Sequence, residues 1–239
     1  MSKTALITGA SRGIGAAIAE KFAKEGYDLI LVAHKSLDLL KDLSHKLNEK
    51  YGISCTYHIG DMGDSAFVKS IFTSIEELDV LVNNAGISHI GLLQDMTDEE
   101  WQRIMATNLD SVFFSCRAAI PLMLKKHSGH IINISSAWGL VGAGTEVAYS
   151  ASKGGLNSFT KALGKELAPS SISVNAIACG VIDTEMNAFL SDEEKEALID
   201  EIPFGRMGTP EEVAETALLL ANSPTYLTGQ IIGLDGGWI

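Results

Sequence analysis

The stretch AYSASKGG, residues 148–155, sets a phenol, Tyr149, four positions ahead of an ammonium, Lys153. Only Ser150, Ala151 and Ser152 stand between them, and none of these is large enough to cover either group. On a helix, side chains four apart lie one turn above the other on a single face. The pair would then hold a proton donor beside a positive charge. Taken alone, a solvated helix face explains the same spacing, so the remainder of the chain has to decide.

A second constellation lies near the N-terminus. The run TGASRGIG, residues 8–15, follows an apolar segment and leads into a helical pattern, with Gly9, Gly13 and Gly15 separated by Ser11, Arg12 and Ile14. Glycines at a strand-to-helix turn let the backbone approach a pyrophosphate, and the helix that follows offers free N–H groups and the positive end of its dipole. The spacing is GxxxGxG rather than GxGxxG. At the end of the second apolar run the chain reads VAHKS, with His34 and Lys35 where an acidic residue would bind an adenosine ribose 2′-hydroxyl. Together with Arg12 these cations favour NADP over NAD; the alternative is that His34 and Lys35 are simply exposed loop residues.

Both groups need elements to position them. Apolar, β-rich runs recur at 4–8, 28–33, 54–60, 78–84, 130–136, 171–178 and 229–235. Most are nearly continuous rather than alternating, as in parallel strands buried on both faces. Helical patterns separate them. Ile14, Ile18 and Phe22 repeat every fourth residue before Gly26, Thr97 and Glu100 are spaced as a capping box, and the helix carrying Tyr149 should end near Pro169. Repeated β–α alternation predicts right-handed crossovers and a doubly wound sheet, with no linker or repeat to divide it, so residues 1–239 read as a single domain.

Composition narrows the function. With a net charge of −12, the chain lacks the basic surface that nucleic acid requires. Cys55, Cys116 and Cys179 are odd in number and widely spaced, which suits a reducing, cytoplasmic setting. No signal-peptide pattern opens the chain, and no apolar run is long enough to span a bilayer. The histidines form no metal-binding motif, so no metal is expected.

Taken in order, TGASRGIG, NNAG (83–86), TNLDSVF around Asn108, NISS (133–136), YSASK (149–153), NAIACG (175–180), GRMGTPEEVA (205–214) and GQIIGLDGGW resemble the short-chain dehydrogenase/reductase family over essentially the whole chain. The Gly-Arg segment and the tail look most like the 3-oxoacyl-[acyl-carrier-protein] reductases of fatty acid biosynthesis. The resemblance implies a Rossmann-type seven-stranded parallel sheet in the order 3-2-1-4-5-6-7, flanked by helices, and a homotetramer. It implies that Tyr149 protonates a carbonyl oxygen as hydride arrives from the nicotinamide. Lys153 would lower the phenol's pKa and bond the nicotinamide ribose, Ser136 would bond the same carbonyl oxygen, and Asn108 would hold a water linking Lys153 to solvent. NADP(H) contacts are further implied for Asp61 and Met62 at the adenine, for Asn84, Ala85 and Gly86 beyond strand four, and for Ile182 and Thr184 at the nicotinamide and phosphates. The stretch 185–204 would be a substrate lid.

Some positions depart from the family pattern. Cys179 replaces a common proline, and Ser170-Ser171 stands where carrier-protein reductases often place a basic residue, leaving Lys125 and Lys126 as the evident docking charges. The substrate is therefore either a carrier-bound 3-oxoacyl group or another ketone. VNAIACGVIDTEMN and Trp138 also look like reductases of 5-aminopentanone on elongation factor P, and a sugar or other alcohol remains an option. A non-catalytic NADP sensor or scaffold would be a different class altogether. Glu146, three residues before Tyr149, either faces the substrate cleft with Trp138, favouring a cationic substrate, or assists the helix N-terminus.

Overall fold

A computed structural model describes residues 2–187 and 191–239. Its first half runs β1 Thr4–Thr8, α1 Gly13–Lys24, β2 Asp28–Ala33, α2 Leu37–Tyr51, β3 Cys55–Ile59, α3 Ser65–Thr73, β4 Val80–Asn83 and α4 Asp98–Met105. It continues with α5 Ser111–Lys126, β5 Gly129–Ser136, α6 Trp138–Val141, α7 Val147–Leu167, β6 Ile172–Cys179, α8 Asp192–Glu201, α9 Pro210–Ala221 and β7 Ile231–Leu234.

The strands form one seven-stranded sheet, β3-β2-β1-β4-β5-β6-β7, in which every neighbouring pair is parallel. The β–α alternation predicts such a doubly wound sheet, and the strand order is the one that the family resemblance implies. β4 and β6 are buried along their whole length, which accounts for their unbroken apolar runs. Alternate residues of a strand face opposite sides, so β1 feeds two cores: Ile7 packs with Phe22, Leu31 and Leu40, whereas Leu6 packs with Leu81, Val112 and Ile131. The direction of winding reverses between β1 and β4, both of which neighbour each other at the centre of the sheet. Ligand crevices of such sheets open at that reversal, beyond the carboxyl ends of the strands.

Local signals held in detail. Gly26 takes φ +80° just past α1, and Thr97 and Glu100 form the reciprocal capping box of α4. α7 stops at Leu167 and passes into a short turn, Ala168–Ser170, that contains Pro169. One feature had no sequence signal: Ala106–Asp110 winds as a π-helical turn between α4 and α5 and carries Asn108 into the interior. Such turns are frequent at functional sites. Among the described residues no helix is long and apolar enough to cross a membrane.

Phe22 is fully buried, with its ring centroid 4.9 Å from that of Tyr27. Phe22→Ala should lower the unfolding free energy by about 3–5 kcal/mol. Urea unfolding followed by circular dichroism measures this, and a loss below about 1 kcal/mol would mean that α1 does not close this side of the core.

Candidate active site

At the winding reversal, the loops after β1 and β4 are laced together. Thr8 Oγ1 accepts the backbone N–H groups of Asn84 and Ala85, each at 3.0 Å. Asn84 Nδ2 donates back to the carbonyls of Thr8 at 3.0 Å and Gly9 at 3.1 Å. Gly9 holds φ +64°, and a Cβ on Gly15 would collide with the Gly9 carbonyl, so neither position has room for a side chain. Arg12 occupies the N-cap of α1 without a side-chain cap hydrogen bond, which leaves the first-turn N–H groups to face outward. An uncapped helix end above a glycine turn is the donor set that a pyrophosphate requires, so these residues fit a dinucleotide.

Arg12, His34 and Lys35, the three cations expected around the adenosine phosphate, are all exposed. Arg12 Nη1 turns to Glu185 Oε2 at 3.2 Å, and His34 Nε2 lies 3.9 Å from Asp61 Oδ2. Lys35 is exposed. Exposed pairs of this kind contribute only about 0–1 kcal/mol each, so they yield readily to a phosphate. Asp61 also accepts from Gly63 N at 2.8 Å. Met62 is 6% exposed and its side chain packs in the core.

The chemical groups come from β5 and α7. Ser136 ends β5, and its Oγ accepts Trp138 N at 3.2 Å. Lys153, 4% exposed, donates from Nζ to the Ile134 carbonyl of β5 at 2.8 Å, and its ammonium lies 5.8 Å from the centre of the Tyr149 ring. Asn108 is fully buried: Oδ1 accepts Ile87 N at 2.8 Å, while Nδ2 donates to Ile87 O at 2.8 Å and to Ser152 Oγ at 3.0 Å. A Cβ on Gly86 would stand 3.5 Å from both Asn108 Oδ1 and Lys153 Nζ, so the two side chains flank the same loop.

Burial dominates the protonation of Tyr149 and Lys153. Burial pushes the Tyr149 phenol up to about 12, against a smaller lowering by the Ser136 hydroxyl, with Cys179 and Glu146 adding to the rise. Lys153 is brought down to about 8, chiefly by burial. Desolvation is thus the largest influence on both groups. Tyr149 is accordingly a neutral phenol, the form that can donate a proton. Cys179 is also buried and is raised to about 12, chiefly by burial, which leaves it an inert thiol.

A cavity of about 340 Å³ joins these groups. Ile14, Asn84, Gly86, Ser136, Tyr149 and Lys153 line it, as do Ile182, Thr184, Trp138 and Glu146. Gly9, Ser11, Arg12, Gly13 and Gly15 belong to the turn after β1 and Ala85 to the loop after β4; these residues and His34, Lys35 and Asp61 are not part of its lining. Met186 and Leu198 line it from the expected lid, of which 188–190 fall outside the described residues.

Two residues escaped the sequence reading. Asn157 accepts Ser135 Oγ at 2.6 Å and donates to Gly139 O at 2.9 Å, holding the chain on either side of Ser136–Trp138. Its place one turn beyond Lys153 on the face of Tyr149 was a usable signal. Trp238 lines the cavity against Trp138, and no local pattern pointed to it.

Comparison with known proteins agrees with this geometry. The family model for short chain dehydrogenase matches residues 3–195. The chain is 41% identical over 240 residues to YmfI of Bacillus subtilis, an oxidoreductase described as uncharacterized, covering 100% of this chain and 99% of the relative. It is 41% identical over 242 residues to the 3-oxoacyl-[acyl-carrier-protein] reductase FabG of Chlamydia muridarum, with 99% and 97% covered. FabG of Aquifex aeolicus is 39% identical over 243 residues, with 98% and 96% covered. The chain belongs to the short-chain dehydrogenase family, whose members are oxidoreductases that use a nicotinamide cofactor.

The raised phenol can be checked without turnover. The difference in absorbance at the phenolate band between the protein and Tyr149→Phe should show no ionisation of Tyr149 up to about pH 10, given a value near 12 in place of the ordinary 10. Phenolate appearing near neutral pH would show that the ammonium dominates after all.

Proposed function

We propose that this protein is an NADPH-dependent carbonyl reductase whose chemistry is that of the 3-oxoacyl-[acyl-carrier-protein] reductases, converting a ketone into a secondary alcohol. The observation that supports this best is the convergence of Ser136, Tyr149 and Lys153 on one cavity beside the glycine turn. Full-length likeness to reductases of that name adds to it. The nicotinamide, when bound, supplies the hydride. Ser136 donates a hydrogen bond to the carbonyl oxygen and orients it. Tyr149, kept protonated by burial, donates its proton to that oxygen as negative charge develops there. The Lys153 ammonium stabilises the phenolate left behind and reaches the ribose hydroxyls. Asn108 fixes Ile87 and Ser152 beside Lys153, and a water held there would return a proton to Tyr149.

Residues 185–204 serve as the lid, a reading supported by Met186 and Leu198 on the cavity wall. The exposed Trp101 and Phe113 of α4 and α5 support a homotetramer, and three unpaired cysteines support a cytoplasmic setting. A complete proton-donating set speaks against a non-catalytic sensor or scaffold.

Tyr149→Phe should lower kcat by at least about two orders of magnitude while leaving the dissociation constant for NADPH nearly unchanged, because the phenol acts in the transition state. Steady-state kinetics on an acetoacetyl thioester, beside calorimetric titration of cofactor, separates the two; near-full turnover by the variant would refute the assignment. Calorimetry also tests cofactor choice. NADPH should bind at least about tenfold more tightly than NADH once Arg12, His34 and Lys35 form charge-assisted bonds to the 2′-phosphate. Equal affinities would leave those side chains as solvated surface.

A further inference from the structure

Three side chains of α7, set four residues apart, address one short stretch of chain. Tyr149 meets the Ser136 hydroxyl, and Lys153 donates to the Ile134 carbonyl at 2.8 Å. Asn157 accepts from Ser135 Oγ at 2.6 Å and donates to the Gly139 carbonyl at 2.9 Å. One face of the helix is thus fastened to residues 134–139, where β5 ends and α6 begins. Tyr149 and Lys153 line the cavity, whereas Asn157, 5% exposed, stands outside its lining.

The sheet alone does not place this stretch. β5 is registered against β6 as far as Ser136 and Cys179, and Ala137 N still donates to the Cys179 carbonyl at 2.8 Å. Beyond that lies α6, a single turn over Trp138–Val141, too short to hold a helical shape by itself. Its anchor is Gly139, packed so closely on α7 that a Cβ there would stand 2.8 Å from the Lys153 carbonyl carbon and 2.9 Å from Asn157 Nδ2. Trp138 N, one residue earlier, donates to Ser136 Oγ at 3.2 Å. That bond occupies an oxygen lone pair and leaves the hydroxyl proton for an incoming carbonyl. The place of the Ser136 hydroxyl therefore depends, through Trp138 and Gly139 on one side and Ser135 on the other, on Asn157.

We propose that Asn157 is a positioning residue for the reduction, clamping Ser135 and Gly139 so that the Ser136 hydroxyl points at the substrate carbonyl. It acts through Ser136 and touches neither substrate nor cofactor. This inference deepens the reductase reading and rests on it.

A double-mutant cycle with Ser136 tests the clamp, with reduction of an acetoacetyl thioester as the assay. Asn157→Ala should lower kcat by about ten- to a hundredfold, the cost of misplacing a catalytic group by roughly 1 Å, with the NADPH dissociation constant nearly unchanged. In a Ser136→Ala background the same substitution should cost less than about threefold, because the hydroxyl it positions is already gone. A residue that only stabilises the fold would cost the same factor in both backgrounds. Equal factors, or near-full turnover by Asn157→Ala, overturn the proposal. Should Asn157→Ala not fold, Ser135→Ala removes one of the two bonds at the loss of a single hydroxyl. It should lower kcat severalfold, again only where Ser136 is present, and any other result overturns the clamp.

Hydrogen exchange followed by NMR reads the clamp without turnover. In Asn157→Ala the Trp138 amide should quicken at least about tenfold more than that of Val174 in β6. Equal quickening at both, or none at Trp138, overturns the proposal. Selective quickening in a protein that reduces no ketone would refute the reductase reading while upholding the clamp on Ser136; absence of both would refute the two together.

Discussion

A buried ammonium has to be hydrogen-bonded, and Lys153 meets that requirement through the Ile134 carbonyl at 2.8 Å. That bond ties the middle of α7 to the carboxyl end of β5. Tyr149, one turn earlier on the helix, and Ser136, two residues later on the strand, are thereby brought to the same cavity. The same burial brings the lysine down to about 8 and carries the tyrosine up to about 12, which keeps the phenol protonated. Geometry and protonation at this site therefore share one cause: withdrawal from water.

Neutral polar side chains secure the surrounding elements. Asn83 donates to Asn133 at 2.9 Å between β4 and β5, Asn133 donates to Thr160 of α7 at 2.8 Å, and Ser115 of α5 donates to Asn83 at 2.6 Å. Each is buried, and every buried side-chain polar atom among the described residues has a partner. The network fixes α5 and α7 against the sheet with directional bonds that apolar packing alone does not supply. Asn108 and Asn157 add like bonds at the carboxyl ends of β4 and β5.

Charge is distributed by region. The glycine turn and the end of β2 carry exposed Arg12, His34 and Lys35, the first two in surface ion pairs, whereas α8 is acidic and Glu146 lines the cavity.

Much of the fold was legible because its signals are local. Unbroken apolar runs marked buried parallel strands, Gly26 and the Thr97–Glu100 pair marked helix ends, and Tyr149 and Lys153 declared a shared face through helical spacing alone. The sequence by itself determined the strand–helix alternation, the glycine turn and the placing of Tyr149 and Lys153 on one helix face. Only the tertiary structure decided how those groups ionise, since desolvation depends on everything packed around Tyr149 and Lys153 rather than on their four-residue separation. It also decided the pairing of Trp138 with Trp238, because Trp238 reaches the cavity from the far side of β7, which pairs with β6, a contact no periodicity encodes. Periodicity is a property of neighbours in sequence, whereas burial and the meeting of distant segments are properties of the folded whole.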